Sequence, residues 1–121
     1  MPTVRIVEHE GVQVHLFDFS QTATHEEMLR RIAAAHGALA GAPAGSVRTL
    51  VDVSGTAVDP DIVRELGALA IANRAAVCAS AVVGAHGQLD AMRQMVSGMS
   101  GRTFASFESM PAALDWLAAQ G

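Results

Sequence analysis

The stretch that decides the fold is Val47-Arg48-Thr49-Leu50-Val51-Asp52-Val53-Ser54-Gly55-Thr56, followed at once by Asp59-Pro60-Asp61. Val47 to Val53 is a short apolar run closing on a polar turn, the pattern of a buried strand. Asp59 before Pro60 marks a helix start, because proline in the first turn gives up an N–H that has no helical partner. A strand that feeds a helix in this way is the repeating unit of an open α/β sheet. Ligands and partners of such sheets gather beyond the carboxyl ends of the strands, so this turn is the first place to look for function.

Upstream, Val4 and Ile6 alternate with Arg5, and Val12, Val14 and Leu16 alternate with Gln13 and His15, which predicts two half-buried strands. Glu10-Gly11 between them predicts a hairpin. Phe17 and Phe19 fall on the parity opposite Val14, which calls for either a bulge or a second apolar face. Thr24-His25-Glu26-Glu27 has capping-box spacing and opens a helix reaching about Leu39, with Leu29, Ile32, Ala33 and His36 on one stripe and Arg30 and Arg31 toward solvent. Gly41 to Ser46 reads as a surface connection.

Downstream, Ile62, Leu66, Leu69, Ala70 and Asn73 share a helical face. Val77 to Val83, bounded by Gly84, reads as a fully buried strand that includes Cys78. Leu89, Met92, Val96 and Met99 form the next helical stripe, which Gly101 ends. Arg102 to Phe107 predicts a last strand, and Ser109 with Pro111 opens a final helix carrying Ala113, Leu114 and Leu117. Ile71 and Trp116 fall off their stripes and are expected at the surface or in a subunit contact. The order is β-β-α-β-α-β-α-β-α: one α/β domain over residues 1–121, with a mostly parallel sheet, an antiparallel N-terminal hairpin and covering helices.

Composition narrows the function classes. With 121 residues, half of them hydrophobic and 17% charged, the chain has the makings of a real core. The net charge is −4 and all eight basic residues are scattered arginines, a poor match to nucleic acid. The absence of lysine removes P-loop, Schiff-base and receiver-type chemistry. No apolar run approaches the roughly 20 residues of a membrane span. Met1 to Arg5 leads straight into strand residues without a signal-peptide pattern, so the expected location is the cytoplasm. Two-fold self-association through a free edge strand is a further expectation.

Leu50-Val51-Asp52-Val53-Ser54-Gly55 leading to Asp59 resembles the STAS superfamily, the sulfate-transporter and anti-sigma-factor-antagonist domains, and within it the SpoIIAA-like branch. The ending is similar too: Phe104 on a strand, then Ser109 to Leu117 closing on Ala113-Leu114-Asp115-Trp116-Leu117. This resemblance implies a regulatory domain that works by binding a protein. In the anti-sigma antagonists the corresponding helix begins Asp-Ser-Ser-Gly and carries a phosphorylated serine. Here Asp59-Pro60-Asp61-Ile62 has no hydroxyl, so the resemblance arrives without that switch. SpoIIAA-like folds also resemble the lipid-binding SEC14 type, which implies the alternative of carrying a small apolar ligand.

The residues expected to contact a partner or ligand are Asp52, Ser54, Gly55, Thr56, Asp59 and Asp61 on the turn, with His86 and Gly87 after the next strand. Ser54-Gly55-Thr56 and Gly84-Ala85-His86-Gly87 offer hydroxyls and N–H groups to an anion, and equally make ordinary turns. Asp52, Asp59 and Asp61 could converge on a cation, or simply bond a turn and cap a helix. The five histidines show no metal-ligand spacing, and no serine sits in a nucleophile elbow. Neither cofactor, metal nor catalytic residue is expected. His36 is expected half-buried and Cys78 inside the sheet. Met92, Met95, Met99 and Met110 are expected to pack the core or to adapt to an apolar partner.

Overall fold

The structure, a computed structural model, describes residues 2–120. Its elements run β1 (Val4–His9), β2 (Val12–Asp18), α1 (His25–Ala35), β3 (Val47–Asp52), α2 (Pro60–Asn73), β4 (Val77–Val83), α3 (Gln88–Ser100), β5 (Ala105–Phe107) and α4 (Met110–Ala118). One five-stranded sheet is ordered β1-β2-β3-β4-β5. β1 pairs antiparallel with β2, and the other three pairings are parallel. This is the mixed, mostly parallel α/β sheet with an N-terminal hairpin that the strand and helix periodicities predict.

The strands step in one direction across the sheet, so crossovers of a single hand lay successive helices on one face. Phe17, Phe19, Val47, Val53 and Val82 meet buried residues of α1, α2 and α3 there. On the other face Val14, Leu16, Leu50, Ala81 and Val83 meet Ala113 and Leu117 of α4. The conflicting parity of Val14 and Phe17 is thereby explained: β2 is apolar on both faces and its register with β1 runs unbroken, so no bulge is needed there. A sheet without reversal of strand order also lacks the topological switch point at which α/β proteins open a ligand crevice.

Local signals place the helix starts. Thr24 accepts from the Glu27 N–H at 3.2 Å, Asp59 from that of Ile62 at 2.9 Å and Ser109 from that of Ala112 at 3.3 Å. The capping box is only half formed, because the Glu27 carboxylate pairs with Arg31 at 3.1 Å. Arg31 also corrects the expected face of α1. Half-buried rather than solvent-facing, its Nη1 donates to the carbonyls of Asp18 at 3.1 Å and Ser20 at 3.2 Å. That anchor turns Met28, Ile32 and Ala35 inward, leaving Ala33 and His36 exposed and Leu29 half-buried. The helix stops at Ala35, short of Leu39, because His36 leaves helical geometry at ψ 135°.

Four further expectations are corrected. β5 is limited to Ala105–Phe107, which pair with Ala81–Val83 of β4, while Arg102 to Phe104 approach it as irregular chain. β3 ends at Asp52, and Val53 begins the turn. Cys78 is exposed: Val47 pairs with Val77 and Arg48 with Ala79, so Cys78 is bulged out of register at the start of β4. Met92 and Val96 are buried as expected, but Met99 is 46% exposed. It lies across α2 at Gly67, where an added Cβ would come within 2.4 Å of the Met99 methyl. Ile71 is 50% exposed, as its position off the stripe predicts, and Trp116 is half-buried against the Phe107 ring at 5.6 Å. No helix among the described residues is long and apolar enough to cross a membrane.

Candidate functional site

The turns after β2, β3 and β4 meet on one rim of the sheet. Phe19 N–H donates to the Asp52 carbonyl at 2.9 Å, and Val53 N–H to that of Val83 at 3.0 Å, carrying the sheet spacing one residue past the strands. The Ser54 carbonyl then accepts from Gln21 twice, from its backbone N–H at 2.7 Å and from its side-chain amide at 3.2 Å. Thr56 Oγ donates to the Thr22 carbonyl at 3.3 Å, and Ala57 N–H to the same oxygen at 2.9 Å. Gly84, at φ +83°, faces Ser54 so closely that a Cβ would lie 2.1 Å from the serine hydroxyl. Only glycine fits a position that is both left-handed and this crowded.

Asp52, Ser54 and Thr56 thus belong to the bonded turns, while Asp59 and Asp61 lie at the start of α2, and many of these polar groups are already engaged. Asp52 Oδ1 accepts the Ser54 N–H at 3.0 Å in an Asx turn. Asp59 caps α2 with one oxygen and meets His25 Nδ1 with the other at 2.5 Å. The hydrogen bond from His25, helped by the Ile62 N–H, holds the Asp59 carboxyl below the usual carboxylate range. Reciprocally, the bond to Asp59 raises the His25 pKa, with the charges of Asp59 and Asp61 adding to it. Asp61 pairs with Arg64 at the surface. Gly55, Asp61, His86 and Gly87 are exposed, and His86 makes no side-chain hydrogen bond or ion pair among the described residues.

The acidic grouping differs from the expected Asp52, Asp59 and Asp61. His25 replaces Asp52, with the ligand atoms of His25, Asp59 and Asp61 within 4.8 Å of one another. The capping spacing around Thr24 conceals this, since nothing local links residue 25 to residue 59. A second cluster, His9, Glu10 and Asp115, ties the hairpin turn to α4 through a 2.7 Å bond from His9 to Asp115.

A separate feature lies beneath α2 and α3. A cavity of about 70 Å³ sits against the sheet, lined by Phe17, Phe19, Val53, Leu66, Leu89 and Met92 among others, with Thr49, Asn73, Arg93 and Arg102 as its polar members. Sequence reasoning assigns Asn73 to a core stripe and Arg102 to a strand, and neither position announces a cavity.

No family model matches the chain, and no curated protein matches it. Among solved structures, it is similar to an uncharacterized protein from the DUF3478 family with a SpoIIAA-like fold from Shewanella loihica PV-4. The two share 19% identity at a TM-score of 0.71, over 94% of this chain and 91% of that one. The fold is thus SpoIIAA-like, as the β3 turn and the closing helix suggest.

Proposed function

We propose that this chain is a non-catalytic regulatory domain that binds a protein partner through the rim formed by the Asp52 to Asp61 turn and the His86-Gly87 loop. The observation that carries this reading is the bonding of three turns to one another through Ser54, Gln21 and Gly84. A surface ordered during folding gives up little further entropy on binding. Gly55, Asp61, His86 and Gly87 remain accessible on it. Pro60 and Asp61 follow the capping aspartate where a phosphorylatable serine would otherwise stand, so recognition is constitutive. The engaged carboxylates of Asp52 and Asp59 are turn and cap groups rather than acid–base catalysts. The test pairs Asp61→Arg with His86→Glu, both at exposed positions. Partner co-purification should fall at least tenfold while the domain stays folded, with Tm lowered by no more than about 6 °C for the lost charge at the start of α2. Undiminished co-purification overturns the reading.

A second reading, carriage of a small apolar ligand, is favoured by the cavity under α2 and α3. Native mass spectrometry after mild purification should find a retained apolar molecule. A clean apo mass with no thermal shift on adding lipid counts against it.

A further inference from the structure

We propose that the cavity beneath α2 and α3 takes an amphiphilic monocarboxylate, its head held by Arg102 and Asn73 and its short tail by the apolar lining. The inference rests on the ligand-carriage reading and names the chemistry of its ligand. α3 ends at Gly101, whose left-handed φ of +68° turns the chain back over the sheet and places Arg102 at the cavity. There Arg102 Nη1 donates to the Ala70 carbonyl at 3.0 Å and Nη2 to Ser80 Oγ at 2.5 Å. Ser80 is itself 2.8 Å from Thr49 Oγ1, and the guanidinium lies 4.8 Å from the centre of the Phe104 ring.

Hydroxyl, carbonyl and ring surround this cation, and among the described residues no carboxylate pairs with it. Arg102, like Arg5, Arg30, Arg48 and Arg74, has no ion-pair partner among the described residues, but it is the unpaired one that lines the cavity. Burial lowers its pKa to about 10, which still leaves it charged at neutral pH. A partly desolvated cation without a counter-charge is costly, and an incoming anion recovers that cost.

Asn73 lines the same cavity at 9% exposure, and its side-chain amide forms no side-chain hydrogen bond among the described residues while keeping access to the open space. An amide that lines the same cavity as the guanidinium and has no protein partner is free to donate to an acceptor there. One planar fork and one amide suit a carboxylate, with its two oxygens. The 70 Å³ of space holds roughly five water-sized groups, which sets a short to medium chain.

The test titrates the full chain with butanoate and with 1-butanol, both within the size of the cavity, followed by calorimetry and by backbone amide NMR shifts. Butanoate should bind saturably and at least tenfold more tightly than butanol. Arg102→Met should remove that preference and leave butanol binding unchanged. Asn73→Leu, apolar and close in size, gives a second route should the first variant fold poorly, and it should weaken butanoate at least threefold while sparing butanol. Equal binding of the two probes, with both variants indifferent, overturns the carboxylate assignment and leaves the apolar cavity standing. Binding of neither probe removes the carriage reading as well.

Discussion

Ser54 and Gly84 pack face to face across the ends of β3 and β4, with no room for even a methyl group between the glycine and the serine hydroxyl. The contact joins two turns that lie thirty residues apart in the chain, and it explains why they present one continuous rim.

Gly84→Ala should therefore destabilise the fold by about 1–3 kcal/mol, combining the steric clash with a left-handed backbone that alanine tolerates poorly. Chemical denaturation measures it. Adding Ser54→Gly should restore only part of the loss, since it removes the hydroxyl and Cβ contacts but leaves the residue 54 Cα at 2.8 Å and the φ of +83°.

The His25–Asp59 pair gives a pH dependence of definite sign. His25, raised above 6.5, contributes fully below its unfolded pKa, and the contribution fades as pH rises through the higher folded value. Asp59, lowered from 3.8, contributes above its unfolded pKa and fades as pH falls through the lower folded value. Asp59→Asn keeps a competent helix cap but removes the charge. The stability gap between wild type and this variant should be widest between 3.8 and 6.5 and should shrink above it. In NMR titration the His25 midpoint should fall in the variant. An unchanged midpoint contradicts the pairing.

Leu117 is fully buried on α4, the helix that covers its side of the sheet, packed with Leu16 and Leu50. Leu117→Ala should cost about 2–4 kcal/mol in urea denaturation. Arg48, whose Nε donates to the Leu117 carbonyl at 3.1 Å, fastens the same helix, so Arg48→Met should also loosen α4, with faster amide exchange near residue 117.

Cys78, bulged from β4 and exposed, should be alkylated by a maleimide in the native state, at a rate that does not rise in mild denaturant. Labelling that requires unfolding contradicts its placement.

Local chemistry carried much of the architecture. Thr24, Asp59 and Ser109 each cap the helix that their spacing announces, because capping joins residues three apart. The two-sided burial of β2 was visible as a parity conflict at Phe17. What escaped depends on contacts between distant residues. Arg31 reaches back to β2 and rotates α1, and Cys78 bulges because of its pairing with β3. At the candidate site His25 joins Asp59 across 34 positions, a pairing that no local spacing announces. Asn73 and Arg102 converge only because α2 and α3 lie side by side on the sheet. Periodicity marks a face of each helix and says nothing of the space left between two faces.

The most direct test of the rim as the working surface is amide hydrogen exchange of the domain with and without its captured partner. New protection is expected over residues 53–59 and 84–87, with α4 and β1 unchanged. Protection concentrated on α4 or β1, with the rim unaffected, contradicts it.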